Sequence, residues 1–174
     1  MLRRKSSKIV YENQWVRLRE DEVEFPDGHS GIYAFTERCD AGPMIIAVTG
    51  VGKLVVLREW RYPIKDWTYC FPFGGVEKGE DSLTAAKREL EEETGYVAAT
   101  WQSLGTVKID PGANAQMTPV FLATGLTKGV MHREAGEVHQ VLELSPEEIK
   151  DKIKNNEIDN GWLLSGFMKY LSSN

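Results

Sequence analysis

The stretch Phe71–Tyr96, FPFGGVEKGEDSLTAAKRELEEETGY, decides how the rest of the chain is read. It opens as a glycine-rich loop and continues as a predicted helix over about 82–94, with Asp81 as N-cap and Gly95 just past the C-terminus. On that helix Leu83, Ala86, Leu90 and Thr94 form a narrow apolar stripe. Glu89, Glu92 and Glu93 share another face, because residues three and four apart are neighbours. Like charges so placed cost about 0.2–0.5 kcal/mol per pair, and they sit in the last turn, where the helix dipole favours cations. A solvated acidic face, partly balanced by Lys87 and Arg88, is the ordinary reading of such a run. The loop beside it points elsewhere. Glu89 and Glu93, one turn apart, can bring hard oxygen donors to one divalent cation, the chemistry that Mg²⁺ and Mn²⁺ prefer. Glycine lets a backbone carbonyl come close, and Arg88 can hold a carboxylate through a bidentate pair.

A chain of 174 residues, 41% hydrophobic, is long enough for one sizeable core and fits a single domain over 1–174. The net charge of −5 argues against nucleic acid as a partner, which would need a basic surface. No apolar run is long enough to span a bilayer, and MLRRKSSKIVYENQW lacks the features of a signal peptide, so no membrane partner and a cytoplasmic location are expected. Cys39 and Cys70 read as thiols in a reducing compartment, neither of them central to the chemistry.

Outward from the loop and helix, Val16, Leu18, Val23 and Phe25, the turn PDGHSG and the segment IYAFT predict a hairpin. MIIAVT and KLVVLRE predict a second hairpin with better-buried strands, and WQSLGTVKI, MTPVFLATGL and VHQVLEL predict further strands. SPEEIK predicts a helix start in which Ser145 caps, Pro146 takes the first helical position and Glu148 closes a capping box. NGWLLSGFMKYL reads as a third helix. Strands early and helices late predict an α+β fold, a mixed sheet covered by helices.

Gly74, Glu80, Arg88-Glu89-Leu90, Glu92-Glu93 and Gly95-Tyr96 match in full the spacing of the Nudix signature, so the chain resembles the Nudix hydrolases. That resemblance implies an α/β/α sandwich in which this loop and helix bind the metals that activate water for attack on a diphosphate. Flanking residues resemble one subfamily, the ADP-ribose and nucleoside-diphosphate-sugar pyrophosphatases: Pro111, sixteen residues after Gly95; REWRYPIKDWTYCFPFGG ahead of the signature; and EAGEVHQVLELSP after it. The resemblance implies N-terminal antiparallel strands over about 1–40, used in dimerisation and base binding, and a catalytic core over about 41–174. It also implies a homodimer and a nucleoside diphosphate sugar as substrate.

Carried over by position, Glu89 and Glu93 are the principal metal ligands, Glu92 contributes, Glu80 supports, and the Phe73 carbonyl is a further ligand. Glu137 matches a late glutamate that serves as general base or metal-linked carboxylate, with Glu134 its nearby rival. Arg61 matches a diphosphate-binding arginine and Arg38 a second substrate arginine. Trp15 and Tyr33 match aromatics that sandwich the base, the alternative being core rings. His132 and His139 read as surface and sheet residues. Two departures bear on specificity: Cys70 stands where the subfamily often has Glu, and Phe73 where it often has Ala. The expected reaction is Mg²⁺-dependent, with Mn²⁺ as substitute, and yields a nucleoside monophosphate and a sugar phosphate. The rivals are hydrolysis of nucleoside triphosphates, dinucleoside polyphosphates or capped RNA, and a module that senses an ADP-ribose-like ligand without cleaving it.

Overall fold

The computed structural model describes residues 1–38, 42–131 and 139–173, with Arg38 described in its backbone alone. The chain divides into two compact units, Met1–Ala41 with Lys108–Met117, and Gly42–Val107 with Thr118–Asn174.

The first unit is an antiparallel sheet, β1 (Arg3–Glu12), β2 (Val16–Glu24) and β3 (Ser30–Arg38), in that spatial order. The expected hairpin is β2–β3; it turns at Gly28, whose φ of 89° suits glycine, and the ring of His29 stacks on Phe25 at 4.3 Å. β1 has no apolar alternation to announce it, and all ten of its residues are exposed. Backbone pairing to β2 and ion pairs such as Arg3–Glu24 (3.0 Å) and Lys8–Glu20 (2.6 Å) hold it there. The segment around Pro111 belongs to this unit: Thr36 donates its N–H to the Ala113 carbonyl (2.8 Å), and the Tyr33 hydroxyl donates to the Gly112 carbonyl (2.9 Å).

The second unit holds β4 (Met44–Ala47), β5 (Leu54–Arg61), β6 (Asp66–Cys70), α1 (Ser82–Thr94), β7 (Tyr96–Val107), β8 (Thr118–Lys128), β9 (His139–Leu144), α2 (Pro146–Lys154) and α3 (Gly161–Leu171). Two sheets form, β4-β8-β7, in which β4 runs parallel to β8, and the antiparallel β6-β5-β9. The expected second hairpin is therefore corrected. β4 and β5 are joined by a tight turn, with the Thr49 N–H on the Lys53 carbonyl (2.8 Å) and a single bridge between Val48 and Leu54, and then part into different sheets. The reason is burial on both faces. Along β4, Met44 and Ile46 enter one apolar cluster while Ile45 and Ala47 enter the other, and β5 divides Leu54 and Val56 from Val55 in the same way. An antiparallel pair with a solvated face would leave half of these side chains in water.

The first cluster includes Phe71, Val120, Ile149, Leu163 and Phe167, drawing on α2 and α3; the second includes Ala86, Leu90 and Tyr96, drawing on α1. Helices thus cover opposite sides of the sheet layer, as an α/β/α sandwich requires. The helix ends follow local rules. Asp81 accepts from Leu83 N–H (2.9 Å) and Thr84 N–H (3.0 Å), and Gly95 ends α1 in the left-handed region at φ 68°. Ser145 and Glu148 complete their capping box.

α3 can lie this close to the core because Gly166 has no side chain: a Cβ there would meet Met44 Sδ at 2.4 Å and the Phe71 ring at 2.9 Å. Overpacking of this kind costs about 1–3 kcal/mol, against about 1 kcal/mol gained from alanine's helix propensity. Gly166→Ala is expected to lower the urea midpoint with an unchanged slope; an equal or higher midpoint would show that this packing is not tight.

Candidate active site

Arg88 of α1 organises Glu89 and Glu92 of the same helix together with Glu80 of the loop before it. Its Nε donates to Glu80 Oε1 (3.2 Å), one terminal nitrogen to Glu89 Oε1 (2.8 Å) and Glu92 Oε2 (2.9 Å), and the other to Glu80 Oε2 (3.0 Å) and the Gly75 carbonyl (2.9 Å). Those five bonds use every N–H that a guanidinium has. Glu80, foremost, holds the Arg88 charge firmly in place. In return the Arg88 bonds, then the Glu77 N–H, hold the Glu80 carboxyl below its ordinary range.

Glu93, 9% exposed, lies toward the loop that precedes the helix, on the side it shares with Glu89. Its Oε2 accepts the Phe73 N–H (3.1 Å). Glu89 converges on the next residue: a Cβ on Gly74 would lie 1.8–2.1 Å from the Glu89 carboxyl atoms. Both principal carboxylates therefore meet the Phe73–Gly74 backbone, and a side chain at position 74 would take the place of one of them. The Phe73 ring lies 5.3 Å from Trp162 of α3 and packs against the first apolar cluster, so its bulk is taken up by the core.

Among the described residues no group of three or more Asp, Glu, His or Cys side chains is already gathered as a metal cage. Arg88 now balances the carboxylates that such a cage would use. The donor set nonetheless fits a hard divalent cation: Glu89 and Glu93 offer carboxylate oxygens on one short piece of backbone, with Glu92 and Glu80 held close by the same guanidinium.

On β5 the two-residue repeat sends Arg58 and Arg61 to opposite faces of the sheet. Arg58 lies over the Trp67 ring (5.2 Å) and the Tyr69 ring (6.0 Å). Arg61 pairs with Glu59, which also accepts from the Cys70 thiol (3.0 Å). Burial, then Glu59, pushes the Cys70 thiol up, so it stays a protonated donor. A carboxylate thus stands at this place although position 70 lacks one. The β5–β6 register, Glu59 beside Thr68 and Leu57 beside Cys70, brings it there, and no residue spacing announced it.

In the first unit Trp15 and Tyr33 are 60% and 37% exposed, so neither is a core ring. Trp15 immediately precedes the Val16–Arg38 pair, whereas Tyr33 opposes Asp21. The five register steps between these pairs span roughly 17 Å, too far for one base to be held between the two rings within this sheet. Glu137, Glu134 and His132 lie outside the described residues, as does the Arg38 side chain.

With this geometry in place, comparison with known proteins identifies the chain. A NUDIX domain model matches residues 40–163. The chain belongs to the Nudix hydrolase family. A second model, the nucleoside diphosphate sugar hydrolase N-terminal domain, matches residues 3–35 of this Nudix protein. It is 30% identical over 151 residues to the Methanol dehydrogenase activator of Bacillus methanolicus, covering 86% of this chain and 81% of that one. It is 29% identical over 151 residues to the ADP-ribose pyrophosphatase of Bacillus subtilis (strain 168), with the same coverage. It is 28% identical over 129 residues to the ADP-sugar pyrophosphatase of Mus musculus, covering 68% of this chain and 59% of that one. The fold resembles a crystal structure of an ADP compounds hydrolase with a TM-score of 0.86 at 17% identity, over 98% of this chain and 92% of that one.

Two expectations follow for this Nudix site. Gly74→Ala should keep the fold, since the atoms in its way are the far end of a flexible side chain, and should lower turnover at least ~100-fold by displacing Glu89; near-normal turnover in a folded variant would contradict that placement. Because the Glu80 carboxyl is held below its ordinary value of 4.5, its contribution to stability is present above that pH and is lost as pH falls through the lower folded value. Glu80→Gln should therefore show a flatter fall in unfolding free energy between about pH 6 and pH 3 than the parent protein; equal slopes would remove Glu80 as an acid-sensitive group.

Proposed function

We propose that this Nudix hydrolase cleaves the diphosphate linkage of nucleoside diphosphate sugars, ADP-ribose and ADP-sugars among them, to a nucleoside monophosphate and a sugar phosphate. The convergence of Glu89 and Glu93 on the Phe73–Gly74 backbone carries the reading of the site. The match of residues 3–35 to a nucleoside diphosphate sugar hydrolase model supports the substrate class. Relatives named ADP-ribose and ADP-sugar pyrophosphatase support it too.

Glu89 and Glu93 would hold a divalent cation, Mg²⁺ with Mn²⁺ as substitute, with Glu92, Glu80 and the Phe73 carbonyl in support. What such a cation supplies is neutralisation of diphosphate charge and a more acidic water. Arg88 keeps Glu89 and Glu92 in place, and the Phe73 N–H holds the Glu93 carboxylate. Arg61 would bind diphosphate oxygens with its fork, exchanging Glu59 for the incoming anion. Glu137 is assigned the base that accepts the proton of the attacking water, with Glu134 as its rival. Arg38, Trp15 and Tyr33 are assigned to substrate and base contact. A homodimer built through the N-terminal strands belongs to the same proposal; the exposed β1, bearing Ile9, Val10 and Tyr11 at half exposure or more, is consistent with it. Among the described residues no helix is long and apolar enough to cross a membrane; a cytoplasmic setting is proposed on the sequence features alone.

The test is product identification with ADP-ribose, ADP-glucose, GDP-mannose, UDP-glucose and nucleoside triphosphates, each with and without Mg²⁺. Turnover is expected with the sugar diphosphates, and Glu93→Gln should reduce it by ~10²–10⁴-fold without unfolding the protein. Preference for triphosphates would redirect the substrate assignment, and failure to cleave any diphosphate compound would leave the sensing module as the reading.

A further inference from the structure

The mechanism has no use for His139, which the sequence presents as an ordinary sheet residue, yet it makes a side-chain contact with the catalytic helix. It is the first residue of β9 and is 7% exposed. Its Nε2 lies 2.9 Å from the main-chain oxygen of Glu93. A carbonyl oxygen only accepts, so Nε2 carries the proton and donates.

The Glu93 carbonyl is one of the last four of α1, which find no partner inside the helix. The Glu91 carbonyl of that turn is taken by the Gly95 N–H (2.8 Å). The acceptor belonging to Glu93 is met from a different element altogether. That element is well anchored: β9 is paired to β5 in continuous register from Glu59–His139 to Leu54–Leu144. Glu93 is thus gripped twice, by the sheet through its main chain and by the pre-helix loop through its carboxylate. Cys70, Glu59 and His139 belong to three neighbouring strands of that sheet, and Glu93 contributes to the electrostatic field at the Cys70 thiol, so these contacts cluster at one end of α1.

We infer that His139 is a positioning residue: its Nε2–H, fixed by β9, sets the main chain of Glu93 and through it the direction of the Glu93 carboxylate toward the cation. The inference rests on the reading of Glu93 as a metal ligand. A ligand's orientation depends on such supporting bonds, and their loss typically weakens metal binding about 10–100-fold. A residue that only filled space would be replaceable by an apolar ring of similar size. A residue that acts through its N–H would be replaceable only by another donor of similar reach.

The experiment is Mn²⁺ binding to the substrate-free protein, followed by electron paramagnetic resonance, for the parent, His139→Phe, His139→Gln and Glu93→Gln, with circular dichroism reporting the fold. His139→Phe is expected to weaken Mn²⁺ binding roughly tenfold or more, and His139→Gln to recover most of that loss through its amide N–H. Steady-state rates should follow: the metal concentration needed for half-activity rises in His139→Phe, while KM for the nucleotide substrate at saturating metal stays within about twofold. Parent-like Mn²⁺ binding by a folded His139→Phe, or a His139→Gln as weak as His139→Phe, overturns the inference. If Glu93→Gln binds Mn²⁺ like the parent, the metal reading of Glu93 fails and this inference fails with it. If Glu93→Gln is weakened and folded His139→Phe is not, only the role of His139 is lost. Should His139→Phe not fold, the parent protein decides by nitrogen-15 NMR of its histidines. A slowly exchanging proton on His139 Nε2 whose resonance shifts on Mg²⁺ addition is expected, and an unprotonated Nε2 or an unmoved resonance overturns the inference.

Discussion

The guanidinium of Arg88 is the contact on which the site depends. Helix α1 places Glu89 and Glu92 close together near its C-terminal end, where the dipole disfavours negative charge, and the loop adds Glu80. Without a cation among them these groups would repel and turn toward solvent. Arg88 bonds to all three and to the Gly75 carbonyl, so one side chain fastens the loop to the helix and orders the carboxylates. Lysine could not replace it, because three donors on a point charge cannot reach four acceptor groups in fixed directions.

That network depends on how the helix is seated on the sheet layer. Ala86 and Leu90 seat α1 on the second apolar cluster, and the strands that supply this cluster also supply the first. The buried residues of β4 and β5 alternate between the two clusters, so the sheet layer cannot slip by one residue without sending both sets of side chains to the wrong side. The same alternation, carried to the end of β5, puts Arg61 and Glu59 on one face and Arg58 on the other.

Much of this was legible in the residues. The helix 82–94 with both of its caps, the capping box at Ser145, the β2–β3 hairpin and the acidic face of α1 each follow from chemistry within a few positions. The parts that were not legible involve distant pairings. β1 has no apolar periodicity and owes its place to β2. β4 left its neighbour β5 for a parallel partner more than seventy residues away, and nothing local to MIIAVT records that choice. Phe73 posed a question of bulk that sequence could not answer; the answer was Trp162, supplied by the last helix.

The sequence by itself determined the family and the reaction class through signature residues whose spacing resembles the Nudix pattern, while helix periodicity determined that the candidate metal-binding carboxylates Glu89, Glu92 and Glu93 lie close together, because residues three and four apart share a face. Which neighbours those carboxylates meet was decided only by tertiary structure. The Phe73 N–H on Glu93, the gap at Gly74 that admits Glu89, the Glu59 carboxylate beside Cys70 and His139 on the Glu93 carbonyl join residues far apart in the chain. Strand register and the packing of α1 on the sheet set those encounters, and neither leaves a local periodic mark in the sequence.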